Sequence, residues 1–73
     1  MALSYQKTIQ ANQERVEYDA SKNPIYIGQS VRGVATSASG WTIRKQSYDG
    51  SNNLTGYQTA TGAWDNRASL TYS

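Results

Sequence analysis

Two chemically versatile residue types are missing from this sequence, since none of its 73 residues is a cysteine or a histidine. Their absence excludes disulfides and most structural zinc sites. A chain of this length buries only about 60% of the surface that its unfolded form exposes, so its own core is small. Small domains without disulfides or metals usually gain stability from partner chains. We therefore expect this protein to work as one copy in an assembly.

Charge is also scarce. Charged residues make up 16% of the chain, and seven Lys and Arg stand against five Asp and Glu, with no run of one sign. This balance does not support a nucleic-acid-binding surface. No stretch reaches the roughly 18 apolar residues that a membrane-spanning helix needs, and the first residues lack the basic and apolar parts of a secretory signal. The sequence predicts a protein that is made in the cytosol and does not enter a membrane.

Little in the sequence points to chemistry. A hydrolytic carboxylate pair would have to come from the five acidic residues, Glu14, Glu17, Asp19, Asp49 and Asp65. The three Asp residues stand in turn-like contexts, where capping of a turn explains them. No glycine-rich phosphate loop is present. We expect no enzymatic activity, no metal and no cofactor.

Turn residues divide most of the chain into short segments that are rich in β-forming residues. In chain order these segments are Arg15–Tyr18, Pro24–Ile27, Ser30–Thr36, Trp41–Tyr48, Leu54–Thr59 and Arg67–Tyr72. Their number and spacing predict an all-β fold of about five to six short strands, arranged as an antiparallel meander, a small sandwich or a barrel. Arg67–Tyr72 is the expected closing strand. Pro24 has no backbone donor, so it should begin its strand or lie on an edge.

Residues 1–13 differ in character from the rest of the chain. Leu3, Tyr5 and Ile9 share one parity, which favours an extended arm. A helix over Tyr5–Glu17 stays open as an alternative, because Gln, Lys, Ala and Glu favour helices and one stripe would hold Tyr5, Ile9, Gln13 and Val16. The sequence thus predicts an amino-terminal arm over residues 1–13 and a single β domain over residues 14–73.

A four-residue signature occurs twice, with its copies 30 residues apart. Tyr, Asp, Ser and Asn recur at the same offsets in Tyr18–Asn23 and Tyr48–Asn53. Each copy lies between strand-like stretches, which predicts two β-hairpin loops with Asp as the side-chain cap and Asn at a left-handed position. The turn-defining residues would be Asp19, Asn23, Asp49 and Asn53. A paired calcium site is the alternative, although such a site needs more oxygen ligands than one carboxylate per loop supplies.

Two tryptophans and six tyrosines are prominent for so small a chain. Trp41 shares parity with Ile43, and Leu70 shares parity with Tyr72, as expected if one face were buried. The alternative is an exposed aromatic surface that stacks on sugar or single-stranded nucleic acid. Tyr, Trp and Arg are also typical anchors of protein interfaces. The candidate interface residues are Tyr5, Ile9, Trp41, Trp64, Arg67 and Tyr72.

Four stretches also follow a recognisable family pattern: YD-x-SGN-x-x-YIG, then G-x-ATS with W-x-I-K/R-K, then YD-x-SGN, and finally WD-x-RASxxYS. They are Tyr18–Gly28, Gly33–Lys45, Tyr48–Asn53 and Trp64–Ser73. In this pattern the sequence resembles a group of small structural proteins of tailed bacteriophages, over residues 18–73. The loop glycine of the pattern is replaced by Lys22 in the first copy and by Asn52 in the second. Lys22 accepts a left-handed conformation less readily than Asn52, which allows a different turn type in the first loop.

The resemblance implies a virion component without a known reaction. Its implied place is the tail or neck, the head as a decoration protein, or a fibre. Its implied partners are further copies of itself and larger capsid or tail proteins. The alternative is a receptor- or glycan-binding module that uses exposed Trp and Tyr on a host-surface glycan.

Overall fold

The computed structural model describes residues 12–73. Four strands form one antiparallel sheet in the order β1-β2-β3-β4, so every strand pairs with its neighbour in sequence. The strands are β1 (Asn12–Tyr18), β2 (Pro24–Val31), β3 (Ser39–Tyr48) and β4 (Leu54–Ala63), and a 3₁₀ helix follows at Trp64–Asn66. The predicted all-β class and antiparallel meander are confirmed, and Pro24 begins β2 as expected.

The predicted number of strands is wrong, because the sheet has four strands and not five to six. Ser30 and Val31 complete β2, and the chain then turns instead of continuing as a strand to Thr36. The N–H of Val34 donates to the carbonyl of Val31 at 3.3 Å, and Gly33 has a φ of +99°. Glycine adopts this left-handed conformation at little cost, and the positive φ turns the chain out of the extended strand.

The predicted closing strand Arg67–Tyr72 is also wrong. Arg67 donates its N–H to the carbonyl of Trp64, and Ser69 donates to that of Asn66, so the chain coils before it extends. Without this strand the sheet stays open and forms neither a barrel nor a sandwich. Two edge strands, β1 and β4, result.

The sheet begins at Asn12, two residues before the predicted start of the β domain. The remainder of the predicted arm, including Tyr5 and Ile9, lies outside the described residues. Within residues 12–73 no helix is both long enough and apolar enough to cross a membrane.

The core lies on one face of the sheet, which we call the covered face. Trp41 and Ile43 of β3 are fully buried there. The residues that follow each of them, Thr42 and Arg44, are exposed. This alternation confirms the parity expected for Trp41 and Ile43. Trp64 completes the buried cluster, and partly buried apolar side chains surround it. They are Tyr26, Val34, Leu70 and Tyr72.

Residues 64–73 fold back across the covered face and end beside the outer edge of β4. There Ser73 and Thr59 exchange two backbone hydrogen bonds of 3.1 Å each. Leu70 packs over Gly62 of β4, where a β-carbon would come within 2.7 Å of the Leu70 side chain. The segment thus replaces the second layer that a sandwich would supply, and it pairs with part of one sheet edge.

Candidate assembly surfaces

The two repeated loops have the same geometry. One carboxylate oxygen of Asp19 accepts the N–H groups of Ser21 and Asn23 at 2.8 and 2.9 Å. One carboxylate oxygen of Asp49 accepts the matching N–H groups in its own loop, at 2.8 and 3.0 Å. Asp therefore caps both turns, as the signature predicts. The pairing register shifts directly before the tyrosine in both hairpins, so the repeat includes the strand ends.

The left-handed position of each loop is the residue that replaces the pattern's glycine. Lys22 and Asn52 both have a φ of +67°. The first turn therefore has the same form as the second, despite its lysine. The predicted left-handed role of Asn23 and Asn53 is wrong, because the positive φ falls one residue earlier. The side chain of Asn23 donates to that of Asn52 at 3.1 Å, so the two loops lie side by side.

Glycine at position 22 is expected to stabilise the protein. A left-handed residue other than glycine costs roughly 1–2 kcal/mol, and the greater unfolded-state freedom of glycine offsets part of the gain. Lys22→Gly should therefore raise the free energy of unfolding by about 0.5–1 kcal/mol. Asn52→Gly is the matched variant and should gain less, because Asn tolerates this conformation. Urea unfolding measures both, and an equal or larger gain at Asn52 would contradict the strain at Lys22.

Asp49 makes the stability of the second loop depend on pH. The N–H groups of Asn53 and Ser51 hold the pKa of this carboxyl below its usual value of 3.8. A depressed pKa in the folded state stabilises the fold above the unfolded pKa, and the contribution is lost as pH falls through the folded pKa. The stability difference between wild type and Asp49→Ala should therefore be constant near neutral pH and shrink in acid below about pH 4. Unfolding curves across this range test it, and a difference that does not change with pH would show that the charged cap contributes nothing.

Within the described part of the chain, the loops do not bring together the cluster of acidic ligands that the alternative calcium site needs. One oxygen of each carboxylate accepts N–H groups of its own turn. Among residues 12–73 no group of three acidic side chains comes together. The loops are turns that position the hairpins.

The two tryptophans belong to the core. Trp41 is 1% and Trp64 is 6% exposed, and their ring centroids are 6.0 Å apart. The indole N–H of Trp41 donates to the carbonyl of Ala35 at 3.0 Å, which fixes the ring under the β2–β3 loop. Neither ring offers a face to a sugar, so packing is the correct interpretation of both.

Arg67 and Tyr72 hold the folded-back segment in place. The Nε of Arg67 lies 2.7 Å from a carboxylate oxygen of Glu17, and its guanidinium lies 4.6 Å from the centre of the Trp64 ring. The Tyr72 hydroxyl donates to the carbonyl of Arg67 at 2.7 Å, and burial raises the pKa of that hydroxyl. The four candidate interface residues that the structure describes thus meet on the covered face, where they bind to one another and to β1.

The opposite face, which we call the open face, was not singled out by the sequence. Val16, Ile27 and Arg44 lie in register across β1, β2 and β3 and point to this side. Tyr57 of β4 is 59% exposed here, and the Arg44 guanidinium lies 4.6 Å from its ring. Val31 of β2 is exposed as well. A second set of apolar residues at alternate strand positions could have predicted this face. The pattern is weak in the sequence, because these residues are mixed with Thr, Gln and Glu.

A groove of about 600 Å³ runs along β1 at the rim of the covered face. Arg15 and Glu17 of β1 line one side, and Trp64 with Arg67 lines the other. Glu17 and Arg67 bind each other, whereas the side chain of Arg15 has no hydrogen bond, ion pair or ring contact within residues 12–73. The groove therefore holds one arginine side chain that has no partner among the described residues, beside a strand edge with which no residue among 12–73 pairs.

No family model, curated protein or solved structure matches the chain. Its function is therefore inferred from the geometry of these surfaces and from the sequence pattern.

Proposed function

We propose that this chain is a non-enzymatic structural subunit of a tailed-bacteriophage particle. It assembles with copies of itself and with larger capsid or tail proteins, at the tail or neck or as a head decoration. The observation that carries the proposal is a one-sided core: only Trp41, Ile43, Ala63 and Trp64 are buried apolar residues among those described. A sheet that packs on one face alone gains stability when a partner covers the other.

The exposed apolar residues support this role. Among the described residues, four large apolar side chains are more than half exposed, as many as the apolar residues that are buried in the core. They are Tyr18, Val31, Leu54 and Tyr57. Val31 and Tyr57 stand on the open face beside Thr and Gln, a mixture that suits a protein interface. In a particle, this face would be covered by a neighbouring subunit.

The edges of the sheet support the same role. Ser73 occupies the outer edge of β4 at Thr59, but no residue among 12–73 pairs with the outer edge of β1. An unpaired strand edge favours strand addition by a neighbour, and the charges of Glu14, Arg15 and Glu17 on β1 would restrict which strand can pair there. The arm predicted over residues 1–13 would then reach a neighbouring subunit.

A glycan-binding module is the weaker alternative. It needs aromatic faces that a sugar can stack on, and the burial of Trp41 and Trp64 removes the two best candidates. Tyr57 remains exposed, but the Arg44 guanidinium lies over its ring. The geometry therefore favours assembly over sugar binding.

Purified particles test the proposed function. Quantitative mass spectrometry of particles banded by density should find this chain at a fixed ratio to the major capsid or tail-tube protein. The ratio should survive a high-salt wash, whereas a protein that sticks to particles nonspecifically should be lost. Absence of the chain from particles whose other structural proteins are present would refute the proposal.

A further inference from the structure

We propose that the chain self-associates through the outer edge of β1, where β1 of a second copy pairs antiparallel in a register centred on Val16. The result is a continuous eight-stranded sheet with twofold symmetry, in which Arg15 of each copy binds Glu17 of the other. This inference rests on the proposed function and names the surface that self-assembly uses.

The hydrogen-bonding pattern of the sheet shows which backbone groups of β1 point outward, away from β2. Thr59 turns its N–H and C=O toward Ser73, away from β3. Arg44 of β3 lies opposite Thr59, and the two do not exchange hydrogen bonds. The N–H and C=O groups of Arg44 therefore point toward β2. Ile27 then bonds toward β3, and its partner Val16 points its N–H and C=O outward. Glu14, two residues earlier, does the same, so both have groups available for a further strand.

Charge selects the register. The sequence of β1 is Asn-Gln-Glu-Arg-Val-Glu-Tyr. In a twofold pairing, one residue lies opposite its own copy at the symmetry axis. Three such registers bring at least five of the seven residues of β1 into pairs. A register centred on Glu14 places two Glu14 side chains opposite each other, and one centred on Arg15 does the same with two arginines. Like charges directly opposite are destabilising. Only the register centred on Val16 places opposite charges together, since Arg15 then faces Glu17 of the second copy twice.

The geometry of this register suits an ion pair. Val16 faces Val16 of the second copy as a hydrogen-bonded pair, so Arg15 and Glu17 of the second copy form a non-hydrogen-bonded pair, the type with the closer side chains. Glu17 uses one carboxylate oxygen for Arg67, and its other oxygen has no hydrogen-bond partner among the described residues. That oxygen can accept from the unpaired Arg15 of the second copy. The pairing would link two Arg67 to Glu17 contacts into one network along the joined grooves.

The two copies would also extend the open face. The two Val16 side chains meet at the symmetry axis on that side. In each copy, Val16 begins a row that continues through Ile27 and Arg44, so the two rows join end to end across the contact. A twofold contact of this kind is closed and uses the outer β1 edge of both copies. The open faces stay available for the larger partner of the proposed function.

Sedimentation velocity of the full chain, from micromolar to millimolar concentration, is the first test. Wild type should show a monomer–dimer equilibrium. Arg15→Glu places two carboxylates opposite each other at both contacts and should weaken the dimer at least about 10-fold, because two like-charge pairs replace two opposite-charge pairs. Arg44→Glu makes the same change of charge on the open face and should leave the dissociation constant within about 2-fold, since position 44 lies two strands from the contact. A wild-type monomer at all concentrations, or a dimer weakened by Arg44→Glu and not by Arg15→Glu, would overturn the inference.

Amide hydrogen exchange by NMR is the second test and reports on the edge itself. The amides of Glu14 and Val16 should become protected as concentration rises, and Arg15→Glu should abolish that protection. The amides of Arg15 and Glu17 bond to β2 and should stay protected in both proteins, which shows that the variant is folded. Protection of Glu14 and Val16 that does not depend on concentration would overturn the inference, because the chain itself would then cover the edge. Either failure leaves the particle measurement above unaffected, so the two proposals fail separately.

Discussion

Replacement of Trp41 by alanine is expected to lower the free energy of unfolding by about 3–5 kcal/mol. The side chain is 1% exposed and is the largest of the fully buried side chains. Its loss would leave a cavity against Ile43 and Trp64 and would free the carbonyl of Ala35 from its indole partner. Small domains have a total stability near the low end of about 5–15 kcal/mol, so little folded protein should remain at room temperature.

Urea unfolding followed by far-ultraviolet circular dichroism measures this loss. Tyr57→Ala is the matched control, because it also removes an aromatic ring from the sheet but at a position that is 59% exposed. The control should change the free energy of unfolding by no more than about 1 kcal/mol. If Trp41→Ala were as stable as Tyr57→Ala, the core would not lie on the covered face.

The second large effect is expected at Gly28. A β-carbon at this position would come within 2.5 Å of the Trp64 ring and 3.2 Å of the Trp41 ring. Both rings are held by the rest of the core, so Gly28→Ala should destabilise the fold by about 1–3 kcal/mol through overpacking. The glycine is needed because the indole of Trp64 lies directly on the backbone of β2.

Gly56→Ala is the matched control for that substitution. Gly56 is also in a strand, but a β-carbon added there would have no heavy atom within 4 Å beyond its chain neighbours. Alanine should therefore fit and gain up to about 0.5–1 kcal/mol from reduced unfolded-state freedom. Opposite signs for the two glycines in thermal or urea unfolding are the expected result. A gain in stability at both positions would contradict the contact between Trp64 and β2.

Local signals in the sequence were sufficient for the hairpin loops. Asp19 and Asp49 cap turns through N–H groups only two and four residues away, so the relevant physics lies within six residues. The buried parity of Trp41 and Ile43 was equally local, since alternation along one strand decides it. The turn signature alone placed the left-handed residue one position too late, at Asn23 and Asn53, whereas the loop glycine of the resembled pattern aligns with Lys22 and Asn52, where the positive φ falls.

Long-range packing decided what the sequence did not reveal. Arg67–Tyr72 has the alternation of a strand, but its contacts are long-range: Arg67 binds Glu17, 50 residues away, and Leu70 and Tyr72 pack against the buried cluster. Ser30–Thr36 has the composition of a strand, but Gly33 turns the chain within it. The lack of a partner for the Arg15 side chain among the described residues could be recognised only from the structure, in which Glu17 binds Arg67 and Glu14 accepts from Gln29. Apart from the turn at Gly33, these outcomes depend on residues that are far apart in sequence.

Electron microscopy of particles that carry a labelled chain tests the proposed role as a structural subunit most directly. A small tag on an exposed loop residue, for example Gly50, should leave the fold intact because a β-carbon there would have no heavy atom within 4 Å beyond its chain neighbours. Gold bound to the tag should appear at one fixed position on every particle, at the head, the neck or the tail. Particles that are complete by their other proteins and carry no gold, or carry it at random, would contradict this role.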